Sequence, residues 1–408
     1  MPVLPVPAGA ARRSPSALRE ALAGARAHLV ARNARIVEWQ EAVTRIAAPT
    51  GQEQARGAWM AARFRELGWR DVRTDGVGNV IARRGTAPAG RAVAGSVWCC
   101  AHLDTVFPDT DAIAVTRRGL RSLGPGIGDN GRGLAALLAL ADVLTTLDVH
   151  TPREIVLVAT VGEEGLGDLR GMKQLLGLAG HAPAAVIAVD GAGDDRVVNG
   201  ALGATRWRIT FTGPGGHSWA DWGAPNPVHA AADAAARLAA LPLPSEPRTT
   251  LTVARIGGGE TINSIPRDGW LEVDIRSADA RVLRELGATL RTIVRAAERA
   301  ANTRRPPEVP ALVATIAQLG DRPCGVLAET HPLVTLACDV TTLLGVTPRL
   351  ATGSTDASVA IARGIPAIAI GAGGTGGGVH TREEWYDDLH GPRGLERVLL
   401  IAVGAASE

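Results

Sequence analysis

Two histidines and three carboxylates in this chain stand where runs of strand-forming residues give out: His102, Asp129, Glu164, Asp190 and His380. A further carboxylate, Glu163, directly precedes Glu164. Imidazole nitrogen and carboxylate oxygen are donors that zinc and similar divalent ions accept. Five donors are one too many for a single tetrahedral site. They suit two ions that share one carboxylate, and Glu163 is then left to handle a proton. The pattern predicts a two-metal hydrolase.

Each position has its own local logic. His102-Leu103-Asp104 closes the strand-like run 96–101. Residues two apart on a strand share a face. The Asp104 carboxylate is therefore expected to accept a hydrogen bond from the imidazole nitrogen of His102 that faces away from a metal, which fixes the tautomer. Asp129 lies in Gly126-Ile127-Gly128-Asp129-Asn130-Gly131, immediately before a helical run. An aspartate there commonly caps the helix, but the glycines allow a close backbone approach and its two oxygens can serve two ions. Glu163 and Glu164 follow the apolar run 154–160. Adjacent carboxylates repel unless positive charge is near. One acting as ligand and the other, Glu163, as general base resolves the conflict. Asp190 closes the run 185–189, and His380 follows the glycine-rich stretch 371–378. His28, His150, His181, His229, His331 and His390 read as structural or exposed.

The elements that must position these side chains follow from hydrophobic period. Helical spacing runs through 16–47, 52–67 and 132–147, the last with an almost wholly apolar surface. Strand-like runs cover 77–83, 96–101, 154–160, 185–189 and 367–370. This alternation predicts an α/β fold with a mostly parallel sheet flanked by helices. Open sheets of that kind bind ligands beyond the carboxyl ends of their strands, where the five residues fall. Near residue 203 the pattern changes to half-exposed strands and two helices in the order β-α-β-β-α-β. That segment, 203–322, reads as an inserted α+β domain dividing a catalytic domain of 1–202 and 323–408. Residues 1–15, rich in Pro and Ala, read as loose.

At 408 residues the length fits two domains. Hydrophobic content of 46% and charged content of 21% are those of a soluble globular protein. A net charge of +2 gives no case for nucleic acid or membrane as partner. Lys173 is the sole lysine, and the basic charge is otherwise arginine. Cys99, Cys100, Cys324 and Cys338 show no CxxC spacing, and reduced thiols point to the cytoplasm. No apolar run of signal-peptide length follows Arg12 and Arg13, and none reaches the roughly 20 residues of a membrane span.

Taken together, the motifs resemble those of the dinuclear zinc metallopeptidase family of peptidase T, carboxypeptidase G and the aminoacylases, from about residue 40 to the end. The resemblance implies that Asp129 bridges two ions, that His102 and Asp190 complete one, and that Glu164 and His380 complete the other. It implies zinc, with manganese and cobalt compatible with the same donors, and a smaller lid domain through which a homodimer forms. Gly213-Pro214-Gly215-Gly216-His217-Ser218 resembles the family's lid histidine motif. His217 would then reach an active site, its own or the partner's, and stabilise an oxyanion; otherwise it is a turn residue. Asn263 and Arg276 resemble substrate-contacting positions. Arg276 suits a substrate carboxylate, or a strand-end surface. Gly353-Ser354-Thr355-Asp356 resembles a turn near the substrate, with Ser354 either contacting it or capping a helix that starts at Thr355.

Three rivals are weaker. Gly371 to Gly376 fits GxGxxG, but no helix opens after it and no acidic strand end follows. Those glycines read instead as bringing the backbone close to the metals. No GxSxG occurs, so a serine hydrolase is unsupported. A binding module without catalysis would not need Glu163 and all five ligands. The expected substrate is a short peptide cleaved by an aminopeptidase; the alternative is an N-acyl amino acid or other small C–N compound. Trp219 and Trp222 fit either an apolar substrate or packing within the lid.

Overall fold

A computed structural model describes residues 4–5, 14–84, 95–177 and 182–408. His181 and nearly all of the Pro- and Ala-rich start lie outside the described residues. The chain divides into two compact units, one formed by Met1–Ala201 and Val326–Glu408, the other by Leu202–Gly325.

In the first unit, four strands run parallel at the centre of the sheet, in the order Ile155–Thr160, Val97–His102, Ala185–Val189 and Ala367–Ile370. Val80–Arg83 and Arg196–Ala201 flank them antiparallel. Asp71–Thr74 lies beyond Val80–Arg83, and Arg349–Gly353 pairs with Arg196–Ala201. The alternation of strand side chains explains why both faces are covered. Val97, Cys99 and Ala101 join one apolar cluster with helices Ala23–Arg45, Gly131–Thr146 and Gly391–Ser407. Trp98 and Cys100 join another with Arg170–Gly177 and Ala357–Ala362. All four cysteines are free thiols.

Several expected boundaries move for identifiable reasons. The helical run 16–47 is two helices, Pro15–Ala21 and Ala23–Arg45, separated at Leu22. The strand expected at 77 begins at Val80, because the Asp75 carboxylate accepts the backbone N–H groups of Val77, Gly78 and Asn79 and closes a turn there. No helix among the described residues is long and apolar enough to cross a membrane.

The second unit is a four-stranded antiparallel sheet ordered Thr249–Gly258, Asp268–Ser277, Gly203–Thr212 and Val313–Arg322. Trp207, Ile209 and Phe211 alternate onto one face and pack with residues of both helices, Pro227–Ala239 and Ala280–Asn302. The intervening residues are only half-buried, as a sheet covered on one side requires.

Candidate metal centre

Parallel pairing aligns the carboxyl ends of the central strands, with His102 opposite Thr160 and Val189 opposite Ile370. His102, Glu163, Glu164 and Asp190 lie at or just beyond these strand ends, Asp129 precedes the helix Gly131–Thr146, and His380 follows the short strand Thr375–Gly377 of a separate sheet. His102 is the last residue of its strand, and 3% of it is exposed. Its Nε2 lies 2.9 Å from Asp129 Oδ1 and 3.7 Å from Asp190 Oδ1. The other oxygen of Asp129 faces His380, at 3.2 Å from Nε2. His380 Nε2 is also 2.9 Å from Glu164 Oε1. Two triads result, His102–Asp129–Asp190 and Asp129–Glu164–His380, each with donor atoms within 4.8 Å of one another. Asp129 belongs to both. Glu163, buried, brings an oxygen within the same distance of His102 and Glu164.

The electrostatics favour a cation here. Burial alone would push the His102 imidazole down, but Asp104, Asp129 and Asp190 together raise it well above the ordinary histidine value. Asp129 and Glu164 raise His380 to about 10. In the absence of metal, both imidazoles would hold protons to balance the carboxylates. Asp129 Oδ1 is buried and has no partner in good hydrogen-bond geometry, although His102 Nε2 lies 2.9 Å away and both triads converge on its carboxylate. An unsatisfied buried oxygen in a nitrogen/oxygen cluster is what a divalent ion would satisfy, so the residues fit such an ion.

The support behind the cluster differs in part from the expectation. His102 Nδ1 meets the backbone carbonyl of Asp104 at 3.0 Å, whereas the carboxylate stands 3.7 Å away. That carboxylate is engaged elsewhere: it accepts the backbone N–H groups of Glu163 and Glu164, both at 2.9 Å, and the Thr50 hydroxyl at 2.8 Å. Burial opposes its charge, yet His102 and these donors hold Asp104 down at about 2. Asp104 thus fixes the tautomer through its carbonyl and the Glu163–Glu164 turn through its side chain.

Asp129 is not the helix cap. Asn130 is: its Oδ1 accepts from Gly133 N, and the same side chain bonds Val189 O and Gly191 N on either side of Asp190. Asn130 therefore ties the Asp129 turn to the Asp190 strand end. Glu384 plays the matching part for His380. Its carboxylate accepts the backbone N–H groups of Gly126, Gly128 and Asp129 at 2.7–2.8 Å. Burial pushes Glu384 up to about 7 against the pull of those donors. Asp356, behind the sheet edge, accepts from Thr160 Oγ1 at 2.5 Å and is pushed up by burial to about 6. Sequence reading missed Asn130, Glu384 and Asp356; only Asn130 carried a local signal, as the polar residue just before a helix.

Replacing Glu384 by Ala leaves three backbone donors without their acceptor, at about 1–3 kcal/mol each where water cannot replace it. Divalent-metal affinity is expected to fall about 10–100-fold, the usual effect of losing a partner behind a ligand. Competition with a chromophoric chelator measures it; unchanged affinity would remove Glu384 from the support.

Several glycines of 371–378 are required by packing, and Gly371, Gly374, Gly376 and Gly377 line the same cavity as Asp129 and Asp190. A Cβ on Gly371 would meet Ala192 O at 2.4 Å, one on Gly373 the Gly394 Cα, and one on Gly374 the Tyr386 ring. They let the loop pack on its neighbours. A short strand, Thr375–Gly377, lies within this stretch, and the helix that a dinucleotide fold needs does not open directly after it. His380 itself sits at φ 64°, a left-handed conformation uncommon outside glycine.

In the second unit, strands Gly216–His217 and Ser264–Ile265 pair and bring His217 beside Asn263, whose carbonyl accepts from Ser218 N. His217 Nδ1 accepts from the backbone N–H groups of Trp219 and Ala220, so its proton resides on Nε2. Trp219 and Trp222 are exposed. Arg276 Nε pairs with Asp274 at 2.6 Å. The helix near Ser354 is Ala357–Ala362 and so starts later than Thr355; Ala357 N donates to Thr355 Oγ1 and Thr355 N to Ser358 Oγ.

A sheet covered on both faces, whose carboxyl edge presents two nitrogen/oxygen triads joined by one aspartate, defines a metal-dependent hydrolase. The chain belongs to peptidase family M20/M25/M40, whose model matches residues 98–403. Among characterised sequences it is similar to a succinyl-diaminopimelate desuccinylase of Aromatoleum aromaticum, 30% identical over 226 residues, half of this chain and 57% of that one. The match thus spans a little over half the length of that relative. In structure it is similar to a tripeptidase of Staphylococcus aureus, with TM-score 0.73 and 22% identity over 92% of this chain and 98% of that one. It is also similar to a Bacillus subtilis dinuclear metal-binding peptidase of family M20, with TM-score 0.62 and 16% identity over 91% and 98%.

Proposed function

We propose that this protein is an aminopeptidase that hydrolyses an amide bond in short peptides, with two divalent ions, zinc foremost. His102, Asp129 and Asp190 hold one ion and Asp129, Glu164 and His380 the other. The observation carrying this reading is the single carboxylate of Asp129 facing both imidazoles, with Glu163 alongside. When bound, the ions supply Lewis acidity and a water of lowered pKa. Glu163 accepts a proton as the water oxygen attacks the scissile carbon, then returns it to the departing nitrogen as the C–N bond breaks. Asp104, through the Glu163 and Glu164 backbone N–H groups, holds that base in place. His217, with its proton on Nε2, donates to the developing oxyanion from its own or a partner subunit. Asn263, Arg276 and Ser354 contact substrate.

Likeness to a tripeptidase supports the peptide substrate. Likeness to a desuccinylase supports a second reading, an amidohydrolase acting on an N-acyl amino acid. The Leu202–Gly325 unit is assigned to homodimer formation, and four free thiols support a cytoplasmic location.

Dialysis against a chelator is expected to abolish hydrolysis, and two equivalents of zinc per chain to restore it. Di- and tripeptides with free amines should then be cleaved faster than N-acylated amino acids. Full activity in metal-depleted protein would end the dimetal reading; preference for acylated substrates would select the second one.

A further inference from the structure

A cavity of about 460 Å³ opens beside the metal cluster, wholly within the first unit, and Asp129, Asp190, Arg196, Thr355 and Trp385 contribute to its wall. Sheet register sets how far its two charged ends lie apart. Val189 pairs with Ile370, and Ile370 pairs with Val197, so Asp190 and Arg196 flank the same sheet edge two strands apart. Two strand spacings are about 10 Å. One end therefore carries the carboxylates of the proposed metal site, and the other a guanidinium.

That guanidinium is not committed to the fold. The acids just before it in sequence are taken by other arginines, Asp194 by Arg393 at 2.8 Å and Asp195 by Arg349 at 2.6 Å. Among the described residues no carboxylate forms an ion pair with Arg196. Between the two ends the wall is uncharged: Val198, Ala369, Ile370, Thr375 and glycines. Glu384, also in the wall, spends its carboxylate on three backbone N–H groups. An arginine facing a cavity with no partner of its own is suited to a planar anion, which it can engage by two parallel hydrogen bonds.

We propose that Arg196 is an anion receptor within the substrate cavity, and that the preferred substrates carry a carboxylate a few bonds from the scissile amide. An acidic side chain next to that bond, or a dicarboxylic acyl group on it, has the required reach. This inference rests on the amide-hydrolase reading and narrows its substrate class. It also separates Arg196 from Arg276, which lies in the other unit and pairs with Asp274.

Two measurements on zinc-loaded protein test it. In the first, wild type, Arg196→Gln and Arg196→Glu are assayed on matched pairs: Glu-Ala-Ala against Gln-Ala-Ala, and N-succinyl-alanine against N-butanoyl-alanine. Wild type is expected to favour the acidic member of at least one pair tenfold or more in kcat/KM. The ratio should collapse to about one in Arg196→Gln and invert in Arg196→Glu. The second is calorimetric binding of succinate against succinamate, which share one carboxylate and differ in the other. Wild type should bind succinate at least tenfold more tightly and Arg196→Gln should not discriminate. Equal binding by wild type, or an acid preference that survives in Arg196→Gln, overturns the proposal. If succinate discrimination depends on Arg196 but no amide is cleaved, the anion receptor stands and the hydrolase reading fails.

Discussion

Glu163→Gln is expected to lower kcat by about 10²–10⁴-fold, the range for removing a positioned proton-transfer group, while two metal equivalents remain bound. The substitution keeps size and hydrogen-bonding shape and removes only the capacity to take up a proton. Folding should tolerate it, because the turn is held by the backbone: Glu163 N and Glu164 N both donate to Asp104. Glu163 is 5% exposed, so bulk water cannot readily substitute as base. Metal content by mass spectrometry and kcat measured apart from KM give a clear reading. Loss of turnover with metal retained supports the base; loss of metal would make Glu163 a ligand instead. Near-full activity would remove it from the chemistry.

The sequence made the donors legible because each is an expensive residue at a cheap-to-read place. Runs such as Ile155–Thr160 and Ala185–Val189 are apolar enough to be buried strands, so a carboxylate directly after one has a desolvation cost that needs a reason. The insertion was legible too, since Trp207, Ile209 and Phe211 alternate with polar neighbours while the central strands do not. What stayed hidden is the wiring between loops. Glu384 bonds Asp129 N across 255 positions of sequence, and nothing in the polar run Thr381–Glu384 distinguishes it from its neighbour Glu383. Likewise the motif His102-Leu103-Asp104 identifies the pair but not the atom: the strand ends at His102, the chain turns, and the Asp104 carbonyl, not its carboxylate, meets Nδ1. What a side chain at Gly371, Gly373 or Gly374 would strike is likewise supplied only by tertiary structure.

Asp129→Asn should have the opposite signature from Glu163→Gln, although both exchange a carboxylate for its amide in the same buried cluster. Asp129 is the one residue common to both triads, with Oδ1 toward His102 and Oδ2 toward His380. An amide offers one oxygen and no charge, so only one ion can be served, and less well. Metal affinity is expected to drop by more than the 10–100-fold typical of outer partners. Occupancy should fall from two ions per chain to one or fewer at micromolar zinc, with hydrolysis reduced to background. The fold should persist, because Asn130 and Glu384 continue to hold the turn by backbone and amide contacts. Circular dichroism beside a zinc titration separates the two possibilities. If Asp129→Asn retains two tightly bound ions, the two sites do not share this carboxylate, and the assignment of Glu164 and His380 to a second ion loses its geometric basis.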